Sequence, residues 1–147
     1  MIKKIKILLI LLAILIGIIL LLFYYSRFSV IKYKIYSDAY GSIENKYLIT
    51  SEEGLKEFYK YNYVNLKINK NWFKNHKVFV QIKIKDSGIT DYIFKKVNIN
   101  NKVSFYISNK SYENEMGIDA ISGSYYFVAI IPNEKLENVD LSDWKKL

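Results

Sequence analysis

The chain has no cysteine, one proline, one histidine and six glycines in 147 residues. Without cysteine there is no disulfide framework, no thiolate nucleophile, no Cys/His zinc site and no lipoprotein-type acylation. His76 stands alone, which excludes any catalytic arrangement needing two histidines. Glycine and proline are too sparse for a flexible or PPII linker, and no repeat recurs. No P-loop, GxGxxG, GxSxG or HExxH motif occurs, and no Asp/Asn-rich loop has calcium-ligand spacing. Nucleotide, hydrolase and zincin chemistry therefore have no motif behind them, and neither a cofactor nor a metal is expected.

Apolar length is what the chain has in abundance. Residues 7–25, ILLILLAILIGIILLLFYY, contain no charge and no proline. As a helix at about 1.5 Å per residue this run spans about 29 Å, the thickness of a bilayer's hydrocarbon. It is apolar all round, with no polar stripe to show to water. Ile7, Leu11, Leu15 and Ile19 mark the lipid-facing stretch, and Phe23, Tyr24 and Tyr25 resemble an interfacial aromatic belt. A cleaved signal peptide has a shorter apolar region followed closely by small residues. Here YYSRFSVIKYK follows instead, so an uncleaved anchor is expected. Lys3, Lys4 and Lys6 precede the run and Arg27, Lys32 and Lys34 follow it. A short basic head is costly to translocate whereas a long domain crosses largely regardless of charge, so the N-terminus is expected inside and the domain outside the cytoplasm. Gly17 has no GxxxG partner to suggest helix pairing.

The expected organisation is a basic head over 1–6, a transmembrane helix over 7–25, a short stalk over 26–29 and one domain over 30–147. About 120 residues suffice for one hydrophobic core. Charge is polarised along this domain: residues 27–110 hold 16 basic and 7 acidic side chains, whereas 111–147 hold 3 and 7. Alternation puts Ile31, Tyr33 and Ile35 on one face of a strand at 29–36 and Lys32 and Lys34 on the other. YLI at 47–49 reads as a short strand. Thr50 lies three positions before Glu53, the spacing of a capping box, and Leu55, Phe58 and Tyr59 then form one apolar stripe of a helix reaching about Asn62.

Further strands are expected at 64–68, 77–84, 89–97 and 102–108, the last three as a meander turning at Asp86–Gly88 and at 99–102. Trp72 and Phe73 fit a core plug. SYYFVAII at 124–131 reads as a buried strand stopped by Pro132. Leu136, Val139, Leu141 and Trp144 are available for packing. The fold class is α+β: a single transmembrane helix, then a small, mostly antiparallel sheet with one main helix.

Candidate chemistry is thin. His76 lacks a neighbouring carboxylate to orient it and reads as a surface or edge residue. Glu52, Glu53 and Glu57 complement the start of a helix rather than hold a metal. The irregular stretch 109–124 offers a binding surface of Tyr112, Glu113, Glu115, Asp119 and Tyr125, since loops carry function. The 24 aromatics interleaved with lysines are explained by an aromatic core face and a solvated Lys face, so nucleic acid is not expected. The expected partners are the lipid bilayer and another membrane or cell-envelope protein. Cell-wall glycan binding or hydrolysis through exposed rings and an acidic pair is the alternative.

The succession LITSEEGLKEFY at 48–59, KIKDSGITDYIFKKV at 83–97 and AISGSYYFVAIIP at 120–132 resembles the small domain of PrcB-like extracytoplasmic proteins. The resemblance covers residues 48–132 and implies binding or regulation of a partner protein, with no catalytic set.

Overall fold

The computed structural model describes residues 2–38, 43–85, 89–111 and 123–147. Helix α1, Ile2–Phe28, contains the apolar run and extends it at both ends. Over Lys4–Tyr25 its mean hydropathy is 3.3 and none of it is buried within the protein. The helix is therefore long and apolar enough to cross a membrane. It continues through the expected stalk, so that only Ser29 and Val30 separate it from strand β1, Ile31–Ser37.

The remaining chain forms α+β architecture in three layers. A five-stranded sheet runs in the order β1, β6 (Ser124–Pro132), β3 (His76–Ile84), β2 (Asn45–Ile49) and β7 (Lys145–Lys146), antiparallel except for the β2/β7 pair. Helix α2, Glu52–Tyr61, covers one face, and the hairpin of β4 (Ile89–Ile99) and β5 (Val103–Ser111) covers the other. The central strands β3 and β6 are thus enclosed on both sides, which is why β6 is apolar at nearly every position rather than alternating. Tyr126, Val128 and Ile130 meet Val78, Val80, Ile82, Leu55 and Phe58 on the helix side. Phe127 meets Tyr92 and Tyr125 on the hairpin side, and Ala129 and Ile131 join Phe79, Val103 and Trp144 there. Leu136, Val139 and Leu141 of the tail pack into this second layer as their apolar character suggests.

Three expectations are corrected. The cap of α2 is Ser51, whose Oγ accepts the Gly54 amide at 3.0 Å, while Thr50 Oγ1 donates to the Leu147 carbonyl at 3.1 Å. Glu53 therefore does not complete a capping box. Residues 64–68 make no strand, although Leu66 is fully buried. Their backbone finds side chains instead: Tyr33 Oη donates to the Leu66 carbonyl, and the Leu66 amide donates to Tyr59 Oη at 3.3 Å. Lys67 adopts a left-handed φ of 49°, which no ladder accommodates. Burial pushes the Tyr33 hydroxyl well above the usual tyrosine range and raises that of Tyr59 against the opposing Leu66 hydrogen bond.

The third correction is topological. β3 does not continue the β4–β5 hairpin into a meander: its neighbours are β2 and β6, and β4 crosses to the opposite layer. Both faces of β3 carry core residues, and an adjacent hairpin strand in the same sheet would leave Phe79 and Phe127 uncovered.

Candidate functional site

Strand register fixes which residues share an end of the domain. β1 leaves α1 and ends at Ser37, opposite Ser124, which in turn lies opposite Ile84. The far end of the sheet therefore holds the start of β6 and the end of β3. Ser37 Oγ donates to the Tyr63 carbonyl at 3.2 Å, bringing the chain after α2 to the same end. The Ile84 amide donates to Glu44 Oε1 at 3.3 Å and brings Ile43 there. Ile43 is 76% exposed, Tyr63 74% and Tyr61 69%, with Tyr36 and Ile84 also exposed beside them. Five large apolar or aromatic side chains thus share the end of the domain opposite to the entry of α1, with Tyr36 on the hairpin face of the sheet and Ile84 on the helix face. Tyr36 packs its ring on Tyr125 at 4.8 Å, whereas Ile43, Tyr61, Tyr63 and Ile84 join none of the core clusters among the described residues, and exposed apolar groups at one end of a domain mark contact surfaces.

Of the sequence-derived binding residues, Tyr112, Glu113, Glu115 and Asp119 lie outside the described residues. Tyr125 is described and does not belong to an open surface. It is 6% exposed, packed between Tyr36 and Tyr92 at ring distances of 4.8 and 5.1 Å. β6 buries both faces, so a tyrosine near its start is already inside. Burial and the negative Asp91 beside it push its hydroxyl up to about 12.

The second polar feature is a corner where the two sheets meet. Lys34 Nζ donates to Asp91 Oδ1 at 2.6 Å and to the Tyr92 carbonyl at 2.7 Å. Lys32 Nζ donates to the carbonyls of Phe94 and Lys95, the latter at a bulge in β4. The same two ammonium groups sit over the rings of Phe94 and Tyr125. The Lys face of β1, read from alternation as solvated, is an inter-sheet clamp that supplies donors to carbonyls on the outer side of β4. Burial opposes ionisation of Asp91, but Lys34 and the Tyr92 amide outweigh it and hold the carboxyl below its usual range.

His76 is buried, against the surface position expected for it, and its Nδ1 has no hydrogen-bond partner among the described residues. Among the described residues no three His, Asp or Glu side chains gather at metal-binding distance. Glu52 accepts from Lys70 and pairs with Lys56 at 3.4 Å, so it serves the start of α2 as its sequence position indicates. Both tryptophans pack inward, Trp144 edge-on to Phe79 at 4.9 Å and Trp72 against the α2-side core.

No protein-family model, no curated protein and no solved structure matches this chain. The feature missed by sequence reading is the apolar end: Ile43, Tyr61 and Tyr63 lie in three separate segments and only the strand register brings them together. The available signal was the pair Tyr61 and Tyr63 flanking Asn62 after α2 should have ended, where a polar stop is usual.

Proposed function

We propose that this protein is a single-pass membrane protein, N-terminus inside, whose extracytoplasmic α+β domain binds or regulates another membrane or cell-envelope protein. The observation that carries the reading is the exposure of Tyr36, Ile43, Tyr61, Tyr63 and Ile84 at the end of the domain opposite α1. An unburied apolar helix tethers the domain through two residues, so this far end is the one turned toward whatever lies beyond the bilayer. Lys4 and Lys6, exposed at the start of α1, support the orientation. The resemblance to PrcB-like domains points the same way. Both tryptophans pack into the core, so the glycan alternative would have to use the exposed rings of Tyr36, Tyr61 and Tyr63, the same surface.

The test is substitution of Tyr61 and Tyr63 together by Ser. Both are exposed, so thermal stability should stay within about 0.5 kcal/mol. Native gels of gently solubilised membranes should show the wild-type chain in a larger assembly and the variant released from it. Unchanged migration of the variant, or a turnover abolished by changing Glu113, Glu115 or Asp119, would overturn the proposal.

A further inference from the structure

The hairpin layer is two strands wide and the sheet beneath it five. On one side the difference is closed. The outer side of β4 receives the Lys32 and Lys34 ammonium groups, and β1 is tied to both layers through those lysines and through Tyr33 and Ser37. β7, at the far margin of the large sheet, is only two residues long. β5 differs. Among the described residues its one strand partner is β4 and the tail covers its start alone, where Lys102 bridges to Asp140 and Trp144 Nε1 donates to the Val103 carbonyl at 3.3 Å.

Beyond Val103, residues 104–109 read SFYISN, six positions with neither charge nor proline. In an antiparallel pair every second residue turns its amide and carbonyl away from its partner, so this edge presents a row of donors and acceptors. Natural sheets protect such edges with lysine, proline, bulges or covering segments. β4 has two of these devices and the 104–109 edge has none of them among the described residues.

The floor beside this edge is shaped to match. Leu48 and Phe79 face the hairpin layer, and period two along β2 and β3 puts Lys46, Gln81 and Lys83 on the same face. They line a groove of about 410 Å³ with Glu44 and Asp143. Trp144 joins the two features, its ring 5.1 Å from Phe105 of β5 and 5.7 Å below Lys46 Nζ.

We propose that the edge of β5 over residues 104–109 accepts an extended segment of a partner protein as a third strand of the hairpin layer, laid over the Lys46–Gln81–Lys83 groove. Main-chain hydrogen bonds supply the binding and alternate side chains the selectivity, as in other strand additions. Side chains pointing down meet a groove in which Glu44 is paired with Lys83 at 3.7 Å and Asp143 with Lys102 at 3.2 Å, which leaves the Lys46 ammonium over Trp144 to favour an acidic residue. Those pointing up lie beside Tyr106 and Lys96, whose ammonium is 4.6 Å from the Tyr106 ring, and suit β-branched or hydroxyl residues. This inference rests on the partner-binding reading but uses a different surface from the apolar end.

The test uses the full chain in detergent micelles and a seven-residue peptide alternating glutamate with valine or threonine. Hydrogen exchange resolved by peptide should show the outward-facing half of the amides of 104–109 exchanging rapidly in the free protein and at least five-fold more slowly with the probe. A second peptide with identical side chains but N-methylated at every other residue should give no protection, because it lacks the donors on one edge. Equal protection by both peptides, or none by either at millimolar concentration, overturns the proposal. So does a concentration-dependent dimer that protects 104–109 without peptide, which would make a second copy the occupant. Because the micelle assay is independent of topology and of Tyr61 and Tyr63, its failure leaves the proposed function standing, and the native-gel result leaves this one standing.

Discussion

Replacing Gly54 by Ala pits a local gain against a tertiary clash. Gly54 sits in the first turn of α2, where alanine normally favours a helix by about 1 kcal/mol. A Cβ there would lie 2.5 Å from the Leu147 carbonyl carbon and 2.6 Å from its oxygen, both main-chain atoms. Restoring an ordinary contact means moving Leu147 by about 1 Å. That segment is held by three hydrogen bonds: Leu147 N to Leu48 O at 2.8 Å, and Thr50 N and Thr50 Oγ1 to Leu147 O, each at 3.1 Å. At about 1 kcal/mol each their loss costs about 3 kcal/mol. The net expectation is destabilisation by about 2 kcal/mol, or a fall of roughly 6–12 °C in Tm followed by circular dichroism. In a chain ended after Trp144 the obstacle and the three bonds are both gone, and the same substitution should stabilise by about 1 kcal/mol. A rise in Tm for Gly54→Ala in the full chain would refute the docking of Leu147 against α2.

Other consequences follow from the same contacts. Phe58 is fully buried between α2 and the sheet, and Phe58→Ala should cost about 3–5 kcal/mol by urea denaturation; a loss below 1 kcal/mol would contradict its place in the core. The folded carboxyl of Asp91 is depressed, so its clamp to Lys34 contributes above the usual carboxylate range and is lost as pH falls through the folded value. Asp91→Asn should therefore flatten the acid limb of a Tm-against-pH curve, by about 1 kcal/mol at most because the pair is partly exposed. Tyr125 has the opposite sign: its raised folded value contributes stability that is complete below about pH 10 and lost toward pH 12. Absorbance at alkaline pH should show tyrosines that ionise only with unfolding, and full tyrosine titration by pH 11 in the folded state would disprove this burial.

Legibility in the sequence tracked how local each determinant was. α1, β3, β6 with its stop at Pro132, and the β4–β5 hairpin each follow from a run or alternation contained in one segment. The buried tail residues were legible because apolar side chains near a small domain's end have few other uses. What failed needed distant partners. Leu66 looks like a strand residue, but tyrosine hydroxyls from β1 and α2 satisfy its backbone. Thr50 and Ser51 are equivalent caps by sequence, and Leu147 decides between them by taking the threonine. The lysines of β1 have a solvated pattern and a structural use, since only the layer order puts carbonyls of β4 within their reach. The apolar end and the free β5 edge are products of register and sheet width, which no single segment encodes.

The central claim, an anchored chain with its domain beyond the cytoplasm, is tested most directly by cysteine labelling, for which a cysteine-free chain provides an empty background. Single substitutions Tyr63→Cys and Lys4→Cys would be treated in intact cells with a membrane-impermeant maleimide. The account predicts immediate labelling of Tyr63→Cys at full-length mass in the membrane fraction, and labelling of Lys4→Cys only after permeabilisation. Labelling in the reverse order, or a mature chain that has lost the residues of α1, would contradict it.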